Sequence, residues 1–245
     1  MKKTAGKTGG FTLIELMVAI SIMALLAILS WRGLDGMTRV QSQTQAKTDG
    51  VLALQAGLAQ WQTDLDALTQ LPQITGAGNI GNALDYDGQV LRLIRRYADN
   101  KPAASNGSSG VSDPLATESI RVVAWSQRNI EGKSHWLRWQ SAAVRTRAEL
   151  QAAWVEAVQW SQNPSDAEKN RETTVAAIDK WQVYYYRNNA WSNAQSSADM
   201  NALIPGSKTA ALPDGVRLVL TLSSDQALVG NITRDWILPT VGGGK

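Results

Sequence analysis

A run of 21 residues, Phe11–Trp31, contains one charged side chain, Glu15, among residues that are otherwise apolar or small and uncharged. As an α-helix this run would extend roughly 30 Å, which is enough to cross the hydrocarbon core of a bilayer. A carboxylate in such a span costs about 2–3 kcal/mol or more, and charges at such positions usually have a function. The run therefore predicts a membrane helix whose single charge needs a physical explanation.

The charges that flank the run predict its orientation. Lys2, Lys3 and Lys7 precede it, and Trp31 and Arg32 close it. Because positively charged flanks stay in the cytoplasm and Trp favours the interface, we expect a cytoplasmic N-terminus, a single pass of the membrane and a body on the far side. Three of the 24 basic residues lie in the first ten positions, which leaves 21 basic against 21 acidic residues. The body is therefore electrically neutral.

Two ordinary explanations of the run are weaker than a specialised one. A secretory signal peptide would need a small-x-small cleavage site after Leu29, where Ser30, Trp31 and Arg32 stand instead, and a charge would interrupt its apolar core. An ordinary signal anchor requires neither the carboxylate nor the glycine pair before the run.

The segment "GFTLIELMVA", Gly10–Ala19, resembles the class III signal of type IV pilins and type II secretion pseudopilins. In that family a prepilin peptidase/N-methyltransferase of the membrane cuts after the glycine and methylates the new N-terminal phenylalanine. The resemblance implies a cleaved basic leader at 1–10, cleavage between Gly10 and Phe11, and N-methylation of Phe11. Residues 11–31 would then form the transmembrane and assembly helix in the inner membrane, with the body of the protein in the periplasm.

The same resemblance explains Glu15. Cleavage creates an ammonium group on Phe11 in apolar surroundings, where an unpaired charge is very costly. A nearby carboxylate neutralises it, and the attraction grows as the local dielectric constant falls. The resemblance implies that the amine belongs to a neighbouring subunit of a filament. Pairing with Phe11 of the same chain, four residues back on the helix, is the alternative. In either case Glu15 is predicted to be an assembly residue.

The helical pattern continues beyond the membrane run and predicts one helix from about Phe11 to Leu68, with 32–70 as its soluble continuation. No proline occurs before Pro72. Apolar residues recur at spacings of three and four, which is typical of one buried helix face; they are Val51, Leu54, Leu58, Trp61, Leu65 and Leu68. Small or polar residues on a face turned partly away from these form a candidate partner face, made of Ala53, Ala56, Gly57 and Gln60.

Residues 71–245 predict a globular, β-rich head. Several short segments are rich in β-branched, leucine and aromatic residues between turn formers; they are 90–95, 120–125, 136–140, 180–187 and 216–222. Asn188 and Asn189 predict a hairpin turn. An amphipathic segment, Val144–Ser161, predicts a helix within an insertion near 142–179. The fold class is therefore predicted to be α+β, with the long N-terminal helix packed on a mostly antiparallel head.

Further stretches resemble the pseudopilin J family of the type II secretion system; they are "WRGLDGM", "LDYDGQVLRLIRR", "WQVYYYRNNAWSN" and "GNITRDWILP". This resemblance implies a head of two small sheets and a minor pseudopilin at the tip of the pseudopilus. Such a subunit helps to initiate the pseudopilus and to export folded proteins, and it binds pseudopilins I and K. A minor pilin of a type IV pilus, acting in motility, adhesion or DNA uptake, carries the same signal and is the alternative.

Residues suited to catalysis or metal binding are few. The chain has no cysteine and one histidine, His135, and it lacks the common hydrolase and metalloprotease motifs. Asp85 and Asp87 lack the further spaced acids of a calcium loop, so we interpret them as a turn that leads into a strand. Asp64 and Asp66 are expected to lie on different sides of the helix. No enzyme activity, cofactor or metal is predicted.

Five arginines raise the alternative of DNA binding; they are Arg92, Arg95, Arg96, Arg145 and Arg147. Arg92 alternates with Leu91 and Leu93, as residues on the solvated face of a strand do. Because the body is also neutral, no nucleic-acid partner is predicted.

Overall fold

The computed structural model describes residues 10–69, 83–97, 119–195 and 212–239. Its first element is α1, Leu13–Asp66, a helix of 54 residues that confirms the long helix predicted from about Phe11 to Leu68. The chain divides into two units, of which the first ends at Asp49 and the second begins at Gly50. Helix α1 contributes residues to both, so each unit is described by itself.

The first unit contains the membrane-type part of α1. Every side chain from Phe11 to Asp49 is exposed. The most apolar stretch of α1 has a mean hydropathy of 2.5 and no buried residue, and the helix is long and apolar enough to cross a membrane. A helix that is apolar all round and has no protein cover is suited to a lipid environment.

In its described residues, the second unit contains the remainder of α1 and eight strands, which pair there only in antiparallel fashion. The strands are β1 Leu84–Tyr86, β2 Val90–Tyr97, β3 Ser119–Ile130, β4 Lys133–Gln140, β5 Glu172–Arg187, β6 Ala190–Asn193, β7 Gly215–Leu222 and β8 Gly230–Ile237. The predicted α+β class, with a long N-terminal helix and an antiparallel head, is confirmed.

Strand β5 joins two parts of the sheet. Its first half pairs with β4, whereas its second half lies between β6 and β7, and the register shifts between Ile178 and Lys180. The strand order is β1-β2-β3-β4-β5-β7-β8, with β6 pairing to β5. The two small sheets expected from the resemblance are therefore connected through one 16-residue strand.

The part of the sheet formed by β2, β3 and β4 lies between two helices. Leu93, Trp125 and Trp136 belong to the core that includes the end of α1, and Val122 and Trp139 belong to a second core. The second core includes α2, Arg147–Gln162. Alternate residues of one strand thus point to opposite helices, which is the period-2 pattern of a strand buried on both faces.

The helical insertion is shorter than the range 142–179 that the sequence predicted. Helix α2 confirms the amphipathic segment Val144–Ser161, and a single further turn, α3 Asp166–Lys169, follows it. Strand β5 already begins at Glu172, so the end of the predicted insertion, 172–179, belongs to the sheet. The strand begins with three polar residues, Glu172, Thr173 and Thr174. Its start therefore lacks the alternation of apolar and polar residues by which a strand is recognised in a sequence.

Local signals determine two of the turns as predicted. Asn188 and Asn189 connect β5 to β6 with φ angles of 50° and 65°, the left-handed values that a tight two-residue hairpin requires. Asp87 and Gly88 connect β1 to β2, and the Asp87 carboxylate accepts hydrogen bonds from the backbone N–H groups of Gln89 and Val90. The interpretation as a turn that leads into a strand is confirmed for Asp87, whereas Asp85 lies within β1 and pairs with Arg92 of β2.

Candidate functional site

The first turn of α1 is closed by a reciprocal pair of hydrogen bonds. The Glu15 carboxylate accepts from the backbone N–H of Thr12 at 3.1 Å and from its hydroxyl at 3.0 Å, and the Glu15 N–H donates to the Thr12 hydroxyl oxygen at 3.4 Å. This is a capping box, which satisfies backbone donors at a helix start. The positive end of the helix dipole also favours the carboxylate there. Glu15 therefore has a local structural partner in the unprocessed chain.

Only one oxygen of the Glu15 carboxylate is used in this arrangement. Both accepted bonds end on Oε2, and within the described ranges Oε1 makes no hydrogen bond. The side chain itself is exposed. The carboxylate can therefore accept a further donor without losing the capping box.

The predicted cleavage junction lies just before α1. Gly10 and Phe11 precede the helix and are exposed, with 92 % of the Phe11 surface accessible. A Cβ added at Gly10 would meet no atom within 4 Å. The remaining residues of the predicted leader, 1–9, lie outside the described part of the chain. The junction is thus an accessible, non-helical peptide bond of the kind a peptidase requires.

A family model described as "Prokaryotic N-terminal methylation motif" matches residues 6–31. The match includes the junction, Glu15 and the apolar run. It supports a pilin- or pseudopilin-like protein. The motif implies processing by a prepilin peptidase and pilin-type assembly, and together with the apolar part of α1 it fits a membrane-anchored protein. No curated protein matches the chain.

Replacing Gly10 with leucine should block removal of the leader, because the added side chain would occupy the position that the peptidase reads as glycine. It should not disturb the chain itself, since the position is open. Mass spectrometry of the membrane-inserted protein should find methylated Phe11 as the first residue of the unaltered chain and the intact leader in Gly10→Leu. Gly6→Leu is the matched control and should be processed normally. A mature terminus near Ser30 would contradict the predicted junction.

The structure separates the four residues of the candidate partner face. Ala53 and Ala56 are exposed, and Gln60 is half-buried and donates from Nε2 to Asp64 Oδ1 at 2.8 Å. Gly57 is buried, and a Cβ added there would lie 2.1 Å from Cγ1 of Val175. The placement of Gly57 on an exposed face was wrong, because its missing side chain lets β5 approach the helix. Partner contacts at the other three positions stay a prediction.

Sequence reasoning missed the densest polar cluster of the head, which is centred on Asp64. This carboxylate is fully buried and accepts five hydrogen bonds. Oδ1 accepts from Gln60 Nε2 at 2.8 Å, Arg95 Nη1 at 2.8 Å and Arg138 Nη2 at 2.9 Å; Oδ2 accepts from Trp125 Nε1 at 3.0 Å and Arg138 Nε at 2.8 Å. We call these five residues the Asp64 cluster.

One signal in the sequence could have revealed Asp64. It follows Trp61 by three residues and directly precedes Leu65, so it lies on the helix face that the apolar spacing predicts to be buried. A buried carboxylate requires charged or hydrogen-bonding partners. The separation of Asp64 from Asp66 was correct: Asp66 is exposed and instead accepts a hydrogen bond from Trp236 Nε1 at 2.8 Å.

Two of the arginines considered for DNA binding are engaged by carboxylates. Arg92 pairs with Asp85, and Arg95 pairs with Asp64 at 2.8 Å. Arg92 also lies 5.0 Å from the centre of the Trp154 ring. Arg92 therefore does not lie on the solvated strand face that the sequence predicted, because α2 covers β2 on that side.

Within the described residues, no group of three or more His, Cys, Asp or Glu side chains is arranged to hold a metal ion. His135 is half-buried, and its Nδ1 lies 3.0 Å from the carbonyl oxygen of Lys133. This contact joins residues next to a hairpin turn and has a local structural role.

Proposed function

We propose that the protein is a minor pseudopilin at the tip of the type II secretion pseudopilus, where it helps to initiate assembly and to export folded proteins without catalysing a reaction. The methylation motif at residues 6–31 carries the pilin-like part of this proposal. The pseudopilin J assignment is supported by the sequence stretches that resemble that family, among them those around β1–β2 and β5–β6. A minor pilin of a type IV pilus has the same motif and is the second candidate.

Glu15 supports assembly through its free oxygen. After cleavage, the amine of Phe11 is positive, and in a membrane or a bundle of apolar helices it needs a counter-charge. Glu15 Oε1 is available to accept it while Oε2 holds the capping box. A neighbouring subunit's amine can reach an exposed carboxylate, so docking of two subunits removes two unpaired charges from lipid at once. Assembly is then favoured over dispersed subunits.

Partner binding is proposed for the exposed face of α1 around Ala53 and Ala56. Small side chains allow another helix to approach closely, and both residues are exposed. The proposed occupants are pseudopilins I and K, whose N-terminal helices would pack along α1 in a tip complex. A tip subunit has unlike neighbours, so heterologous contacts are expected to dominate.

Ala56→Glu should weaken this complex by roughly 10-fold or more, because a charged side chain would be placed between closely packed helices. The measurement is co-purification of the full-length chain with pseudopilins I and K in detergent. Gln55→Glu is the matched control, since it introduces the same charge at an exposed position about 100° around the helix. Far-ultraviolet circular dichroism of both variants should match that of the unaltered chain.

The outcome distinguishes the two candidates. Binding of pseudopilins I and K that is lost in Ala56→Glu and kept in Gln55→Glu supports the proposed tip subunit. Stable binding to minor pilins of a type IV pilus, with none to the pseudopilins, would favour the second candidate. Undiminished binding of both variants would place the interface elsewhere.

A further inference from the structure

The contacts between α1 and the strands of the head are unevenly distributed along the helix. Among the described residues, the hydrogen bonds that join this helix and its C-terminal extension to the strands all come from 62–69. They include Gln62 with Arg234 at 2.7 Å, Asp64 with its cluster, and Asp66 with Trp236 at 2.8 Å. Within the part of the chain that the structure describes, the section 50–59 makes no hydrogen bond to the strands and packs on them through apolar contacts, chiefly at Leu54 and Gly57.

Backbone hydrogen bonds reinforce the C-terminal end. The N–H of Thr69 donates to the carbonyl of Ile94 at 3.0 Å, and the N–H of Arg96 donates to the carbonyl of Ala67 at 3.0 Å. The chain after α1 is thereby paired to the end of β2. This end of the helix is attached by backbone pairing and by a buried charge cluster together.

The geometry points to the Asp64 cluster as the joint between α1 and the strands of the head. A displacement of the helix is transmitted to the sheet at Asp64 and not along the whole length of the helix. Asp64 is 0 % exposed, and its two arginine partners are 17 % and 13 % exposed. Removing one partner of a buried charge pair leaves the other charge desolvated, so the pair resists separation. Apolar contacts lack this directional restraint and can slide or open stepwise.

The partners of Asp64 distribute such a displacement across the sheet. Arg95 lies on β2, Trp125 on β3 and Arg138 on β4, three adjacent strands. One carboxylate on the helix thus holds three strands through both of its oxygens. By contrast, the section 50–56, which precedes the close contact between Gly57 and Val175, can open from the sheet while the joint stays closed.

Hydrogen–deuterium exchange of the full-length chain in detergent tests this inference. Peptides from 50–56 should exchange at least about 10-fold faster than those from 60–66, and the latter should match the rates of β7. Asp64→Asn should release the joint, so that 60–66 exchange at least about 10-fold faster than β7 in the same variant. Asp66→Asn is the matched control, because it keeps an acceptor for Trp236 Nε1. In this variant the exchange rates of 60–66 and of β7 should stay equal.

Two results would overturn the inference. One is uniform exchange along 50–66 in the unaltered chain. The other is an Asp64→Asn variant in which 60–66 and β7 accelerate equally, because that is the behaviour of a residue that only stabilises the whole head. If Asp64→Asn does not fold, Arg95→Met is the second variant, because it keeps the carboxylate paired with Arg138. In Arg95→Met the exchange of 60–66 should be roughly 3-fold faster than that of β7. Equal exchange rates of 60–66 and β7 in Arg95→Met would then contradict the inference that the Asp64 cluster is the joint.

Discussion

Replacing Trp61 with alanine is expected to lower the free energy of unfolding of the head by roughly 3–5 kcal/mol, the usual cost of a large cavity in a core. Trp61 is completely buried, and its ring centre lies 5.4 Å from that of Trp125 and 5.9 Å from that of Trp136. These three rings join α1 to β3 and β4. Alanine would remove the central ring and leave the other two facing a void, so the melting temperature should fall by on the order of 10 °C.

Trp61→Phe is the matched control and should cost below roughly 2 kcal/mol, because it keeps an aromatic ring and removes a buried donor that has no partner. Trp61 Nε1 is buried without a hydrogen bond in the described structure. Thermal unfolding of the full-length chain in detergent, followed by near-ultraviolet circular dichroism, measures both variants. Equal losses for alanine and phenylalanine would contradict the prediction, because they would mean that a smaller aromatic ring at this position does not restore the packing.

Gly57→Glu is expected to prevent the head from folding. The Cβ would lie 2.1 Å from Cγ1 and 3.3 Å from Cβ of Val175, and the shorter of these distances is one that real Cβ atoms essentially never show, so the Val175 side chain or its strand must shift. The carboxylate would also be placed in the apolar core, where an unpaired charge is strongly disfavoured. The combined cost should exceed the roughly 5–15 kcal/mol that stabilises a typical domain, or come close to it.

Ala56→Glu is the control for this effect, since it adds the same side chain one residue earlier on the exposed face. Resistance to limited proteolysis and near-ultraviolet circular dichroism should be kept in Ala56→Glu and lost in Gly57→Glu. A folded Gly57→Glu protein would show that α1 is not held closely against β5. Burial would then not explain why Ala56 is proposed for partner binding and Gly57 for packing within the head.

Much of this protein is determined by patterns that act over a few residues. The length of the apolar run and the lone Glu15 predict the membrane-type helix and the methylation motif, and Thr12 with Glu15 has the spacing of a capping box. The apolar residues Leu54, Trp61 and Leu65 are buried as their spacing predicts. Asn188 and Asn189 form the predicted hairpin. Each of these features depends on residues that are close together in the chain, so a short window of sequence is enough to predict it.

Other features were decided by the tertiary structure alone. Three of the four partners of Asp64 are separated from it along the chain by 31, 61 and 74 residues, and no helical spacing can indicate them. Gly57 has the appearance of one more small residue on the helix, and only the approach of Val175 makes its missing side chain essential. Strand β5 extends back to Glu172 because β4 supplies its hydrogen bonds. Periodicity identifies which face of an element is apolar, whereas the residues that meet across that face depend on how distant segments pack.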